Sequence, residues 1–530
     1  MPARAALAAA AAARPAATLF ALVVDGYDPR YTAGAAGAAL APTLRGLRSQ
    51  FVARAAMPTF TNVNNVSLLT ATPPAAHGVA GNFLYDETTR TNVPMTDASA
   101  IRADSLLAEA HAAGFDVVIC TAKDKLVRLL RHQLPADAPS AVSTATTTAA
   151  ATVTVVSIES AAAAQAEGGD TGNGGYGSGS GGSDGEAVAA LVRALLRGGA
   201  ATAPHGGRLP TIYEPYCSVA AVEAGGALVR HLRDKRRAAG LAQRPAIAFV
   251  STTDFVQHKH APHSPGANEF FRALDAAVAA LLREHPDCVL GVTADHGMSE
   301  KHDAASGSPR IVFLEQLLRD ARIPARVVLP ITDAHVVHHA ALGGYANVHV
   351  GEEHLEGLAR PPPFGDGWRR VAPGEVLPPG LEIRLDLQSA GAATLARRAG
   401  GGARRAAMVG EAAALLRAQP GVLRVLARAE AAALYALPPE GVGDLVVVAD
   451  EGHVLGKSAG AHDLSMVARL RSHGGEHERA VPLLLNWQVA APKDAARLAS
   501  GEAASFELLP LLFEAAAAAA AAAEEPSSEN

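Results

Sequence analysis

A chain of 530 residues with 49% apolar and 18% charged side chains carries enough hydrophobic material for at least two packed domains, which excludes a globally disordered protein. Its 46 Lys+Arg against 52 Asp+Glu leave a formal charge of -6, so there is no electrostatic footprint for nucleic acid. Arg14 and Pro15 break the Ala-rich start before it reaches the length of a membrane span, and Cys120, Cys217 and Cys288 lie too far apart for a CxxC pair. A reducing, cytoplasmic setting follows as the expectation, although the Ala/Arg-rich first 24 residues leave plastid or mitochondrial targeting open.

In chain order, Thr18 to Val24 is a continuous apolar run ending in Asp25-Gly26, the pattern of a strand buried on both faces. Pro58 to Asn65 is a polar loop leading into a helix whose N-terminal amides favour an anion. There a metal-bound Thr61 hydroxyl is a candidate nucleophile, while Thr59 reads as a helix cap. A helix over Ser105 to Ala113 precedes a strand over Phe115 to Cys120, after which come Lys123-Asp124-Lys125. Two lysines flanking one residue at a strand end can both reach a small polyanionic substrate.

Residues from about 162 to 208, rich in Ala, Gly and Ser, read as a disordered surface insertion whose removal leaves the fold intact. The strand Ala246 to Val250 runs into Asp254, with His258 one helical turn further on the same face. His260 and His263 belong to the same polar stretch without a role. A helix over Glu269 to Arg283 leads to the strand Cys288 to Thr293, followed by Asp295-His296. Mixed Asp/His sets of this kind suit zinc or a similar divalent metal. Residues 320–445, with a low-complexity, loop-like stretch at about 352–405, form a second domain over the site, an α+β cap. The remaining core is 18–319 and 446–512, and 1–17 and 513–530 are disordered or Ala-rich tails, Ala515 to Ala523 being helical. Helices alternating with buried strands predict an α/β, doubly wound, mostly parallel sheet with helices on both faces and sites at the strand carboxyl ends.

Two decoys fail on context: Gly172 to Gly177 matches GxGxxG with no strand before it, and Gly452 to Ser458 is one residue short of a phosphate loop. Gly456 to Gly460 matches GxSxG, so a serine hydrolase using Ser458 with His462 nearby is a rival, weakened by the polar stretch before it.

The segments DGYDP, PTFTNVNN, PPAAHGVAGNFLYD, TAKDKL, STTDFVQHKHAP, TADHGM with KHDA, PITDAHVVHH, and RSHGG before VPLLLN jointly resemble the phosphonoacetate hydrolases of the alkaline phosphatase superfamily, close to its nucleotide pyrophosphatase/phosphodiesterase branch. The resemblance runs from about residue 18 to 490 and implies a two-zinc hydrolase. Asp25, Thr61, Asp295 and His296 would hold one zinc ion, and Asp254, His258 and His473 the other, with His462 a competitor for the last place. Thr61, Asn82, Lys123 and Lys125 would bind substrate. The implied reaction splits phosphonoacetate into acetate and phosphate through a phosphothreonine. The alternative is a nucleotide phosphodiesterase, which needs an aromatic slot for a base in a chain only 4% aromatic. A small phosphonate is the expected partner, with neither nucleic acid nor membrane, and a homodimer is the alternative to a monomer.

Overall fold

The computed structural model describes residues 2–13, 17–87, 89–136, 150–166, 183–205, 207–332, 339–351, 354, 369–370, 381–386, 393–398, 401–489 and 492–524. The Gly172 to Gly177 decoy and the PPP of 361–363 lie outside these residues. Each apolar run becomes a strand within a residue or two of its expected limits: β1 (Thr18–Val23), β3 (Asp116–Thr121), β5 (Ala246–Ser251) and β6 (Val289–Thr293). Two further core strands, β2 (Ser49–Arg54) and β4 (Val153–Ser157), have no counterpart in the sequence reading. A second group, β7 (Ala325–Val328), β8 (Tyr345–Val350), β9 (Val422–Ala427) and β10 (Leu445–Ala449), precedes β11 (Ala480–Leu485), which returns to the core.

The core sheet has the order β2-β11-β6-β1-β5-β3-β4. Strands β6, β1, β5, β3 and β4 are parallel, and β11 runs antiparallel to both β6 and β2. All six residues of β1, β3 and β5 are buried, as a sheet covered on both faces requires. The helices that bear on the argument are α1 (Pro2–Ala13), α2 (Thr61–Thr70), α3 (Asp124–Leu130), α4 (Ser183–Leu195), α5 (Phe255–Lys259) and α6 (Leu508–Glu524).

Three stretches depart from expectation. Residues 1–17 were expected as a tail, yet Leu7 and Ala10 of α1 are buried, in a helix packed against α6, itself the Ala-rich C-terminal helix. Alanine makes an even, shallow helix surface, so two such helices can approach closely along their length. The 162–208 insertion contains α4, whose Val188, Ala189 and Val192 are buried with Leu196 in the main core. This corrects the reading of the whole segment as disordered. A deletion of residues 165–205 is therefore expected to lower the unfolding midpoint, because Val188, Val192 and Leu196 together lose roughly 5 kcal/mol of apolar burial; an unchanged thermal midpoint would show that α4 does not dock.

The stretch 352–405, expected to be loop-like, holds a three-stranded antiparallel sheet of Arg369–Arg370, Ala393–Arg398 and Leu381–Asp386. A separate four-stranded antiparallel sheet is made of β7, β8, β10 and β9. That sheet includes β10, so the division expected between 445 and 446 falls inside a strand. The hairpin of Phe83–Asp86 and Thr91–Pro94 ties core to cap: Tyr85 packs edge-on against His349 at 5.1 Å, and His349 donates from Nδ1 to Glu87 Oε1 at 2.8 Å. Among the described residues no helix is long and apolar enough to cross a membrane.

Candidate functional site

Four neighbouring strands, β3, β5, β1 and β6, deliver polar side chains from their carboxyl ends to one place. In order across the sheet these are Lys123, Asp254 with His258, Asp25, and Asp295 with His296; all are buried. The Asp25-Gly26 turn depends on its glycine: Gly26 has φ +70°, and a Cβ there would stand 3.1 Å from the Asp254 Cβ and 3.2 Å from that of Gln257. The main chain at Asp25 is fixed by its N–H to Thr252 Oγ1 at 2.9 Å, and Asp295 Oδ1 accepts from Gly26 N at 3.2 Å.

Thr61 opens α2, every residue of which is buried. Its hydroxyl lies 3.5 Å from His296 Nε2. Two of the asparagines that follow are held by hydrogen bonds. Asn64 accepts from Ala56 N at 2.7 Å, and Asn65 bridges Thr61 O (3.0 Å), Ser251 Oγ (3.0 Å) and Asp295 Oδ2 (3.4 Å). Asn82 Oδ1 accepts from Asn62 N at 3.1 Å, which sets the Asn82 amide beside Thr61; its Nδ2 makes no hydrogen bond among the described residues. Thr59 is not the helix cap, a position held by Phe60. Its hydroxyl accepts from Gly474 N at 2.9 Å and donates to Gly475 O at 3.0 Å, locking the Thr61 loop onto the His473 loop.

Gly474 explains the HisGlyGly pattern: its φ is +116°, and a Cβ would come within 2.6 Å of the Phe60 ring. His473 thereby stacks on His296, centroids 3.7 Å apart and planes at 10°. His258, His296 and His473 share one arrangement. Each Nδ1 faces a main-chain carbonyl, of Arg471 (2.7 Å), Gly297 (3.0 Å) and Thr59 (2.7 Å). A carbonyl only accepts, so Nδ1 carries the proton and each Nε2 presents a lone pair, the tautomer a metal ligand needs.

Two groups offer ligand atoms within 4.8 Å of one another: Asp25, Asp295 and His296, and Asp254, His296 and His473. His258 Nε2 adjoins the second group, 3.0 Å from Asp254 Oδ2. Three buried carboxylates face one buried ammonium, Lys123 Nζ, at 2.6 Å from Asp25 Oδ2 and 2.8 Å from Asp254 Oδ1. Asp25 Oδ1, fully buried, accepts no hydrogen bond among the described residues. This excess of buried negative charge, with neutral imidazoles around it, fits divalent cations.

Burial, reinforced by Asp254 and Asp295, pushes Asp25 up to about 7, and burial pushes Asp295 up to about 6. For Asp254 burial acts upward, and the buried Lys123 ammonium outweighs it, holding the carboxyl well below the usual range. Burial lowers His296 and His473, keeping both neutral. Between the ordinary carboxylate value of 3.8 and about 7, the metal-free folded chain keeps protons on Asp25 and Asp295 that the unfolded chain has released. Their stabilising contribution is thus full below 3.8 and is lost as the pH rises through about 6 to 7; Asp254 titrates below this window. The unfolding midpoint of chelated protein is expected to fall from pH 5 to pH 8, while divalent metal binds more tightly over the same range as protons leave. A rising midpoint in chelated protein would show the carboxylates already ionised at pH 5.

Over residues 19–165 and 228–476 the chain matches the family described as Type I phosphodiesterase / nucleotide pyrophosphatase. It belongs to that family, within the alkaline phosphatase superfamily. Two structures of phosphonoacetate hydrolase from Sinorhizobium meliloti 1021, one with phosphonoformate and one with phosphonoacetate, are similar to it at 30% identity and a TM-score of 0.64. Each comparison covers 95% of this chain and 96% of that one. Murine ectonucleotide pyrophosphatase / phosphodiesterase 5 shares the fold at 13% identity and a TM-score of 0.50, covering 94% of both chains. The protein is therefore a hydrolase of the phosphodiesterase/nucleotide pyrophosphatase family, and metal dependence is the family's pattern.

The remaining sequence candidates separate clearly in this phosphodiesterase-family fold. Lys125 is half-buried in the first turn of α3, two residues beyond Lys123. Ser458 has an ordinary extended backbone (φ -149°, ψ 162°) and is followed by a 3-10 turn, so the strained strand-to-helix elbow of a serine nucleophile is absent there. His462 is no ligand to the cluster: it donates from Nδ1 to Ala340 O at 2.8 Å and accepts at Nε2 from Lys457 N at 2.9 Å. An aromatic pair lies beside Asp254: Tyr213 and Phe255, centroids 5.9 Å apart at 75°. Rings in edge-to-face contact leave no gap for a base to stack between them. The sequence reading missed Asn65, Thr252 and Thr59 as supports; for Asn65 the polar run within a buried helix was the local signal.

Proposed function

We propose that the chain hydrolyses the carbon–phosphorus bond of phosphonoacetate, releasing acetate and phosphate. The observation that carries this reading is the 30% identity, over 95% of the chain, to the Sinorhizobium meliloti enzyme, whose structures hold phosphonoacetate and phosphonoformate. In this reading Asp25, Thr61, Asp295 and His296 hold one zinc ion, and Asp254, His258 and His473 hold a second. Bound, the pair would supply Lewis-acid charge at the phosphonyl and carboxylate oxygens.

Thr61 is the nucleophile. Its Oγ–P bond forms as the C–P bond breaks, and the electron pair passes to the methylene, delocalised into the carboxylate. The proton that Thr61 gives up on attack is made up at the methylene, which becomes the methyl of acetate, and water then hydrolyses the phosphothreonine to phosphate and restores the Thr61 hydroxyl. The Thr61 N–H at the start of α2 and Asn82 Nδ2 hold the phosphonyl oxygens, since both are donors beside the Thr61 hydroxyl. Lys123 has three N–H donors, two of them engaged by Asp25 and Asp254, and its third serves a substrate oxygen. Lys125 adds a cation on the same loop.

Ester hydrolysis is the second reading, favoured by the family match itself. Phosphate release from phosphonoacetate, measured beside cleavage of a nitrophenyl diester, separates the two. The proposal expects phosphonoacetate to be preferred, bound zinc to approach two per chain, and chelation to abolish turnover. Preference for the diester would overturn it in favour of the second reading.

A further inference from the structure

Lys301 and Glu478 form a buried ion pair to which the reaction above gives no part. Lys301 Nζ donates to Glu478 Oε1 at 2.9 Å, and the two side chains are 1% and 0% exposed. The same Nζ donates to Glu451 O at 2.9 Å, in the turn that follows β10. A buried pair gains little over apolar side chains of the same size, because desolvating two charges offsets their attraction. Its opposite charges also cancel, so it adds little to the field made by Lys123 and the three carboxylates. Its effect lies in what it holds in place.

Glu478 grips two imidazole-bearing loops at once. Its Oε2 accepts from Gly475 N at 2.9 Å, and its main-chain O accepts from Gly297 N at 2.7 Å. Gly297 directly follows His296, and Gly475 lies just beyond His473-Gly474. A glutamate that reaches back to a main-chain N–H is a common cap of a short helical turn, here the 3-10 turn Glu476–Arg479. A cap alone needs neither burial nor a lysine. The short ladder of Ser299–Glu300 with Arg471–Ser472 joins the two loops only as far as Ser472. Beyond it come His473 and two glycines, with Gly474 at φ +116°, a stretch whose backbone has other conformations open to it. Thr59 holds that stretch from the side of the nucleophile, through Gly474 N and Gly475 O, and Glu478 holds it from the side of His296.

His296 and His473 stack 3.7 Å apart and share one set of ligand atoms with Asp254, while His296 also belongs to the set of Asp25 and Asp295. The separation of these two rings therefore couples both sets. We infer that Glu478, oriented by Lys301, is a positioning residue that fixes His296 and His473 relative to each other, and so sets how tightly the site holds its metal ions and how fast the loaded site turns over. This rests on the two-metal part of the proposed function and not on the choice of substrate.

Lys301→Met with Glu478→Leu removes the pair without stranding a charge. Lys301→Met with Glu478→Gln also removes both charges but returns a carbonyl oxygen to Gly475 N. In wild type and both variants, zinc affinity is measured by competition with a chromogenic chelator, and the visible spectrum of cobalt-substituted protein reports ligand geometry. The leucine variant is expected to bind zinc about ten- to a hundredfold more weakly, with an altered cobalt spectrum. Its kcat at saturating zinc should fall on phosphonoacetate or on a nitrophenyl diester, whichever wild type prefers. Most of the affinity and the wild-type spectrum return in the glutamine variant. Wild-type affinity and spectrum in the leucine variant, or equal losses in both variants, overturn the inference whatever the thermal midpoint does. Should the leucine variant fail to fold, Glu478→Asp decides by the same measurements, since its shorter side chain cannot reach Gly475 N and Lys301 together: weaker zinc binding and an altered spectrum are expected, and unchanged values overturn the inference. Wild type that cleaves only the diester sinks the substrate reading, and the zinc and cobalt measurements still decide this one. Wild type that takes up no divalent metal sinks both.

Discussion

Replacing Thr61 with alanine is expected to reduce phosphate release from phosphonoacetate by about a thousandfold or more with little change in thermal stability. The size follows from removing the attacking group of a two-step reaction, for which residual turnover depends on binding and electrostatics alone. Stability should hold because the hydroxyl's contact is a long one, 3.5 Å to His296. The neighbouring Thr59 cannot substitute, since its hydroxyl is engaged by Gly474 and Gly475. Thr61→Ser keeps the nucleophile and should retain most activity. Intact-mass measurement on quenched reactions checks the intermediate directly: wild type gains one phosphoryl group and Thr61→Ala gains none. Near-normal turnover in Thr61→Ala would mean that water attacks phosphorus without a covalent step.

The second large effect distinguishes two lysines that look equivalent in Lys123-Asp124-Lys125. Lys123 is buried and neutralises part of the charge of Asp25 and Asp254, so its removal leaves buried carboxylates uncompensated. Breaking such a pair costs roughly 3 to 5 kcal/mol. Lys123→Ala is therefore expected to lower the unfolding midpoint of chelated protein sharply, with much of the loss restored by added zinc. Lys125→Ala should leave both midpoints nearly unchanged. Its loss is expected in kcat/KM, about ten- to a hundredfold on phosphonoacetate and far less on a diester that lacks a carboxylate. Equal losses on the two substrates would remove Lys125 from substrate selection, and a normal midpoint for chelated Lys123→Ala would show that the carboxylates are compensated in another way.

Much of the catalytic core was legible because a strand buried on both faces must be written as an unbroken apolar run, and the residue just past its end stands where the sheet presents side chains. That rule alone marks Asp25, Lys123, Asp254 and Asp295 as candidates, and a four-residue spacing adds His258. Strand β2 escaped it, because its exposed and buried residues alternate as SQFVAR and it lies at the sheet's edge. The Ala-rich helices escaped for a different reason. Alanine and glycine runs have the same composition whether or not a partner covers them, so the docking of α1 on α6 and of α4 on the core depends on distant surfaces.

At the site, residue type and local order determined which groups could bind cations and anions, and the family resemblance of RSHGG favoured His473 over His462. Only the tertiary structure decided how each imidazole is protonated. A main-chain carbonyl of a distant loop faces Nδ1 of His258 and of His473, one of the next residue faces that of His296, and a main-chain N–H faces that of His339. The same side chain is thereby given a lone pair at Nε2 in three places and a proton there in the fourth. Which of the two it becomes is set by the hydrogen-bonding group the folded backbone places beside one nitrogen, a choice that no pattern of residue types encodes.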